Sequence, residues 1–381
     1  MVGCLDGIRV LELARYQAGP RAGMTMSDLG AEVIKIESVG GEFARNQPPL
    51  VNGQSIYFSV YNRGKKSMCL NMRSKEGMSI FRDLVKTADI VLENFRPGTM
   101  AKMGLDYDAL CELKPDIIMI SASAFGQYGP YRDRPGFDGI GQALSGLMTL
   151  NGKPVGRPVG VAFSLVDRIT ALHATIGALG ALRHRDRTGE GQLIDVCLMD
   201  SALTMVEIPT SYYLSTGEEG GEGGRGGYQA KDGWVIVTAN PPHMAKALVE
   251  VIEEWRGEPL PGGAEAFRYN DNSTVISDWC AAHTVDEICD VLNERGVVAA
   301  PVRSTPQVAE DPHLWEREML IKTEDPIAGE VYLPGVPIKL SKTPGKIGPV
   351  PMPGQHTDEI LGDLLGYDEA RIKELRAGEV V

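Results

Sequence analysis

The chain has 381 residues, more than one hydrophobic core ordinarily accommodates, so two domains or one large domain with an insertion are expected. A formal charge of −13 argues against nucleic acid as the main partner, and a hydrophobic fraction of 43% is ordinary for a globular chain. No uninterrupted apolar run of membrane-spanning length stands out, and "MVGCLDGIRVLELA" lacks a basic segment followed by an apolar one, so a cytoplasmic, non-membrane protein is expected.

The six cysteines, Cys4, Cys69, Cys111, Cys197, Cys280 and Cys289, are scattered without a CxxC, and no HxxxH occurs. That fits reduced thiols and offers no metal site. An acidic protein that binds an anionic ligand must gather its positive charge locally, which directs attention to basic clusters.

In chain order, Ile8–Ala14 ("IRVLELA") predicts a buried strand. "AGPRAGMTMSDLG" predicts a helix closed by Gly30, and "AEVIKIES" a second strand. "SKEGMSIFRDLVKTA" predicts an amphipathic helix with Ser74 as its N-cap. "DIVLENF" and "IIMISASAF" read as strands on either side of a short helix in "DYDALCELKPD". This alternation predicts an α/β fold with a largely parallel sheet and a Rossmann-like opening. No GxGxxG follows the first strand, which weakens a dinucleotide dehydrogenase reading.

Seven glycines between Gly217 and Gly227 mark flexible backbone. The expected division is therefore a large domain over 1–215, a small α+β domain over 228–323, and a Pro/Gly linker with a helical return to the large domain over 324–381.

Three features carry chemistry. Asp167 stands at the mouth of a long, mostly apolar helix. As an N-cap it satisfies orphan N–H groups, and as a poorly solvated carboxylate held ionised by the helix N-terminus it is a competent nucleophile. The two roles are compatible. Asn62–Lys75 ("NRGKKSMCLNMRSK") holds five cations and no acid, and reads as a solvated turn or as a site for a phosphorylated cofactor. "ENFRPG" (Glu93–Gly98) and Lys102 follow a strand end, where α/β sheets bind ligands. The glycine run is a linker or a lid, and His173 reads as a packed side chain.

Taken together, "LDGIRVLELARYQAGP", "DLGAEVIKIES", "NRGKKSMCLNMRSKEG", "VLENFRPGTMAKMGLDYDAL", "PGFDGIGQALSG", "DRITALHATIGALGALRHRDRTGEGQLIDVCLMDSAL" and "GQHTDEILGDLLGY" resemble, in order and spacing, the class III CoA-transferases, a family that includes the α-methylacyl-CoA racemases. The resemblance spans almost the whole chain. It implies a Rossmann-like large domain with a smaller α+β domain in an interlocked dimer. It implies Asp167 as the nucleophile that forms an acyl anhydride and then an aspartyl-CoA thioester. Gln17, Asp138, Gly226 and Gly227 are implied as active-site support. CoA contacts are implied at Leu70, Asn71, Met72, Arg73, Asn94, Phe95, Arg96 and Lys102. Where the family often has a basic residue after "IKIE" this chain has Ser38, and Arg45 is the expected substitute.

CoA thioesters are then substrates, with no cofactor bound permanently. The expected assembly is a homodimer, or a heteromer with a related subunit. Racemases of the family pair the aspartate with a histidine in the "PGFDGIG" motif. Phe137 stands there in this chain, so transfer of CoA from an acyl-CoA such as succinyl-CoA to a carboxylic acid is expected over α-proton exchange.

Overall fold

The structure, a computed structural model, describes residues 3–220, 226–239, 241–261, 263 and 273–381. It divides into two units, one of Met1–Glu222 with Trp315–Val381 and one of Gly223–Leu314.

The first unit is built on six strands: β1 (Arg9–Glu12), β2 (Glu32–Glu37), β3 (Lys66–Cys69), β4 (Ile90–Glu93), β5 (Ile118–Ser123) and β6 (Leu193–Cys197). All neighbouring pairs are parallel, and the spatial order is β3-β2-β1-β4-β5-β6. In a doubly wound sheet of this order the winding reverses between β1 and β4, and ligands bind beyond the strand C-termini at that point. The expected parallel α/β architecture is what the chain adopts.

Its principal helices are α1 (Ala18–Asp28), α2 (Lys75–Val85), α3 (Tyr107–Leu113), α4 (Asp138–Leu144), α5 (Leu165–Thr188), α6 (Thr357–Leu365) and α7 (Glu369–Ala377). Strand residues alternate between two cores. Leu11, Ile34, Met68 and Val91 face one, which α2, α3 and the C-terminal α6 and α7 cover. Val10, Val33, Leu92 and Ile120 face the other, covered by α1 and α5. Ser74 caps α2 by accepting the Gly77 N–H at 2.9 Å, and Asp106 caps α3 through the Ala109 N–H.

By length and composition alone α5 is apolar enough to cross a bilayer. One face of it, Ala171, Ala174, Ala178 and Ala181, is packed into the sheet core, while Leu172, Ile176 and Leu179 are exposed.

The second unit holds a three-stranded antiparallel sheet, with Trp234–Thr238 central between Tyr228–Gln229 and Val298–Pro301. Helices Pro242–Arg256 and Val285–Glu294 contribute Leu248, Ile252 and Leu292 to its core. The hairpin of Leu320–Asp325 and Gly329–Pro334 belongs to the first unit, where Val331 and Leu333 share a core with Phe58.

The basic segment 62–75 has a structural explanation. Lys65 Nζ lies 2.8 Å from the Glu12 carboxylate and Lys35 Nζ 3.1 Å from it, with all three side chains inaccessible to solvent. Lys35 also lies 3.2 Å from Glu42, Arg63 pairs with Asp28 at 2.7 Å, and Lys66 pairs with Glu32 and Glu359. Most of the cluster is therefore neutralised inside the fold and is not a phosphate site. Only Arg73 and Lys75 of this run are exposed with no ion pair among the described residues.

Gly23 makes the network possible. A Cβ there would stand 1.8 Å from Glu12 Oε2 and 3.4 Å from Lys65 Nζ. Gly23→Ala is expected to lower stability by about 2 kcal/mol despite the better helix propensity of alanine. A denaturant melt with an unchanged midpoint would contradict this.

Candidate active site

β1 ends at Glu12, and the chain turns through Ala14, Arg15 and Tyr16 before α1 begins at Ala18. Tyr16 takes a left-handed conformation (φ 63°), a cost in a non-glycine residue that its surroundings must overcome. They do so from both sides. Lys35 Nζ donates to the Ala14 carbonyl at 2.9 Å, and Lys65 Nζ to the Pro20 carbonyl at 2.8 Å. Asn94, just after β4, accepts the Arg15 N–H at 2.8 Å through Oδ1 and donates through Nδ2 to the Arg15 carbonyl at 2.7 Å. The loops after β1 and β4 are thus bolted together at the winding reversal. Glu93 holds the second loop by accepting the Phe95 N–H at 2.7 Å, and burial pushes its carboxyl up to about 7.

A cavity of about 280 Å³ opens beyond these strand ends. It is lined by Arg15, Tyr16, Gln17 and Ala18 after β1, by Asn94–Pro97 after β4, by Ala122–Ala124 at the end of β5, by Arg134–Phe137, and by Asp167 and Leu198. Asp167 is the acid among these residues, and no histidine is among them. His173 instead meets Ser201 Oγ at 3.0 Å.

Asp167 is not the helix cap. α5 starts at Leu165 with Ser164 in the N-cap position, and Asp167 is the third residue of its first turn. The orphan N–H of Asp167 is taken by Asp138 Oδ2 at 3.0 Å. Asp138, buried in the first turn of α4, is held by Gln142, whose Nε2 donates to Oδ1 at 2.5 Å while its Oε1 accepts the Val161 N–H at 2.8 Å. Gln17, buried before α1, donates to the Ser164 carbonyl at 3.3 Å. The Asp167 carboxylate is left without a hydrogen-bond partner among the described residues and lines the cavity.

Nor is that carboxyl held at its ordinary acidity. Burial, followed by the nearby Asp138 charge, pushes it up to about 7, against a smaller opposing pull from Arg168. Arg168 is occupied elsewhere, stacked on Phe163 and donating to Tyr61 Oη at 3.3 Å.

The other expected site residues divide by position. Gln17, Asn94, Phe95 and Arg96 line the cavity with Asp167, and Asp138 lies directly behind it. Leu70 is buried in the sheet core, Met72 packs against that core, and Asn71 ties the start of α2 to the C-terminus through Glu379. Arg73 and Lys102 are exposed and outside the cavity wall. Arg45, the expected substitute for the basic residue missing at Ser38, is engaged inside the fold. Its guanidinium is bidentate to Glu37 at 2.6 and 2.7 Å, donates to Pro351 O, and stacks on Phe58. Those partners occupy its donors, and it is not among the residues that line the cavity. Gly226 and Gly227 belong to the second unit, and residues 221–225 of the glycine run lie outside the described residues.

Sequence reasoning passed over Arg15, Tyr16, Arg134 and Gln142. "ARYQAGP" carries no sign that Tyr16 is left-handed, because a glycine or asparagine would have been the cue.

Residues 5–357 match the model of CoA-transferase family III. The chain belongs to that family. It is 34% identical to succinyl-CoA–D-citramalate CoA-transferase of Chloroflexus aurantiacus, over 99% of this chain and 98% of that one. It is likewise 34% identical to the succinyl-CoA–L-malate CoA-transferase beta subunit of the same organism, over 99% and 98%. A CaiB/BaiF family protein from Brucella suis has the same fold, with a TM-score of 0.83 and 30% identity over 96% of this chain and all of that one. The family match, together with relatives that are CoA-transferases over nearly their whole length, makes the chain a CoA-transferase.

Within such an enzyme the Asp138–Asp167 pair has a measurable consequence. If Asp167 is the group that attacks the thioester, only its ionised form can do so, and kcat/KM for the acyl-CoA should rise with pH to a plateau, with an apparent pKa near 7. Asp138→Asn removes the negative neighbour, and the limb should move to lower pH while the plateau falls. A limb that stays in place would show that Asp138 does not bear on the titrating group.

Proposed function

We propose that this chain transfers CoA from succinyl-CoA to a dicarboxylic acid, using Asp167 as a covalent nucleophile. One observation carries the reading: a half-buried carboxylate with no bonding partner among the described residues faces a cavity at the winding reversal of a doubly wound sheet. The names of both relatives support succinyl-CoA as donor and a second carboxylate in the acceptor.

In this mechanism Asp167 Oδ attacks the thioester carbonyl carbon. The C–S bond breaks, CoA leaves as thiolate, and a mixed anhydride remains. The thiolate attacks the aspartyl carbonyl of that anhydride, releasing succinate and leaving an aspartyl-CoA thioester. The acceptor carboxylate displaces CoA from it to form a second anhydride. CoA thiolate then attacks the acceptor carbonyl, giving the new acyl-CoA and the Asp167 carboxylate. Thioester energy is conserved and no proton is consumed. The family resemblance further supports an interlocked dimer, and the subunit name of the malate relative keeps a heteromer within the proposal.

The test is purified chain alone with succinyl-CoA and a panel of dicarboxylates, with acyl-CoA products separated by chromatography. New acyl-CoA formed in equal amount to free succinate is expected. Turnover only after addition of a second subunit would make the chain half of a heteromer. Exchange of α-deuterium on a 2-methylacyl-CoA, without transfer, would make it a racemase, although among the described residues no histidine lines the cavity to act as the second base.

A further inference from the structure

Three guanidiniums line the cavity around one carboxylate: Arg15, Arg96 and Arg134. All three are exposed, and none has an ion pair among the described residues. In a chain with a formal charge of −13, that local excess of unpaired cations calls for an anionic ligand.

Arg15 differs from the other two in how its backbone is held. Its N–H and its carbonyl are both bonded to the Asn94 amide. Two residues on, Gln17 is tied to the carbonyl of Ser164, three residues before Asp167. The main chain of Arg15 is therefore fixed relative to the nucleophile through a short chain of hydrogen bonds. Its side chain lies over the Phe95 ring, 5.5 Å from the centroid, with its donors unclaimed among the described residues. Arg134, by contrast, rests against Tyr131 at 3.9 Å. Arg96 lies on the loop whose family resemblance points to CoA.

We propose that Arg15 binds the second carboxylate of a dicarboxylic acyl group and so selects dicarboxylates over monocarboxylates. The proposal rests on the transferase reading above. The chemistry suits a fixed cation. One carboxyl of the acyl group passes through anhydride and thioester, while the other stays ionised throughout. A guanidinium fork meets that second carboxylate with two charge-assisted hydrogen bonds in both halves of the reaction. A monocarboxylate of equal length puts a methyl group there and leaves the guanidinium unpaired on ligand binding, which is the stronger form of discrimination.

The experiment is a competition. Wild type, Arg15→Gln, Arg15→Lys and Arg134→Gln each receive succinyl-CoA with equal glutarate and valerate, and the ratio of glutaryl-CoA to valeryl-CoA is read. Because both acceptors share one enzyme pool and one donor, the ratio is independent of donor affinity and of the fraction of folded protein. Arg15→Gln should lower the ratio about 100-fold and Arg15→Lys by less, with Arg134→Gln close to wild type. An unchanged ratio in Arg15→Gln, even with a raised KM for succinyl-CoA, would assign Arg15 to CoA and overturn the proposal. So would a shift found only in Arg134→Gln, or a wild type that prefers valerate. A wild type that makes neither product with any donor would instead overturn the transferase reading, and this inference with it.

Discussion

Asp167→Asn is expected to lower kcat by at least about 10⁴-fold while leaving acyl-CoA binding nearly unchanged. Asparagine keeps the shape of the side chain and removes the nucleophilic charge. The backbone N–H of residue 167 still reaches Asp138, so the start of α5 keeps its anchor. Binding retained with turnover lost separates a chemical role from a structural one. A variant within tenfold of wild type would remove Asp167 from the mechanism.

The same substitution should raise stability at alkaline pH. The Asp167 carboxyl is pushed above its ordinary range, to about 7, so between roughly pH 4 and 7 the folded chain binds more protons than the unfolded one. Its contribution to stability is fully present at low pH and is lost as pH rises through 7. A neutral asparagine escapes that loss, so Asp167→Asn should melt a degree or two higher than wild type at pH 8, with the gap closing toward pH 4. This is the sense expected of a residue kept for chemistry at the expense of stability.

The second large effect is expected at Glu12, far from any substrate. Glu12→Ala leaves Lys35 and Lys65 buried without their shared carboxylate, with Glu42 still paired to Lys35 and Glu37 acting on it from farther off. Removing one partner of a buried ion network costs about 3–5 kcal/mol, because the remaining charges are uncompensated. Burial already pulls the Lys65 amine down to about 8. The two lysines also hold the Ala14 and Pro20 carbonyls on either side of Tyr16 and Gln17. Activity should therefore fall in folded protein at low denaturant, before the main unfolding transition. A Glu12→Ala chain with an unchanged midpoint and full activity would show that the network neither stabilises nor positions.

How far the sequence disclosed this depends on whether a residue acts through local pattern or through distant partners. β1, β2, β4 and β5 follow from hydrophobic period and lie within one or two residues of where pattern puts them, and capping chemistry places the starts of α2 and α3, whereas β3 lay unread inside the basic run. The winding reversal that places the cavity is a property of strand order, which no local pattern carries. Asp167 was legible as the acid at the start of a long apolar helix. Its relation to Asp138 was not, since that bond spans 29 residues.

The basic run 62–75 misled for the same reason. Its charges look solvated until Glu12, Asp28 and Glu32, thirty to fifty residues earlier in the chain, are seen beside them. Arg45 repeats the lesson in small: Glu37, eight residues away across a turn, claims it.

The most direct test of a covalent aspartyl route is the mass of the intact protein after brief exposure to succinyl-CoA without acceptor, followed by peptide mapping. A CoA thioester on the peptide that carries Asp167, released by hydroxylamine and absent in Asp167→Asn, is the expected result. Steady CoA transfer by wild type with no adduct at any quench time, and with the peptide unmodified, would contradict it and point to direct attack of the acceptor on bound acyl-CoA.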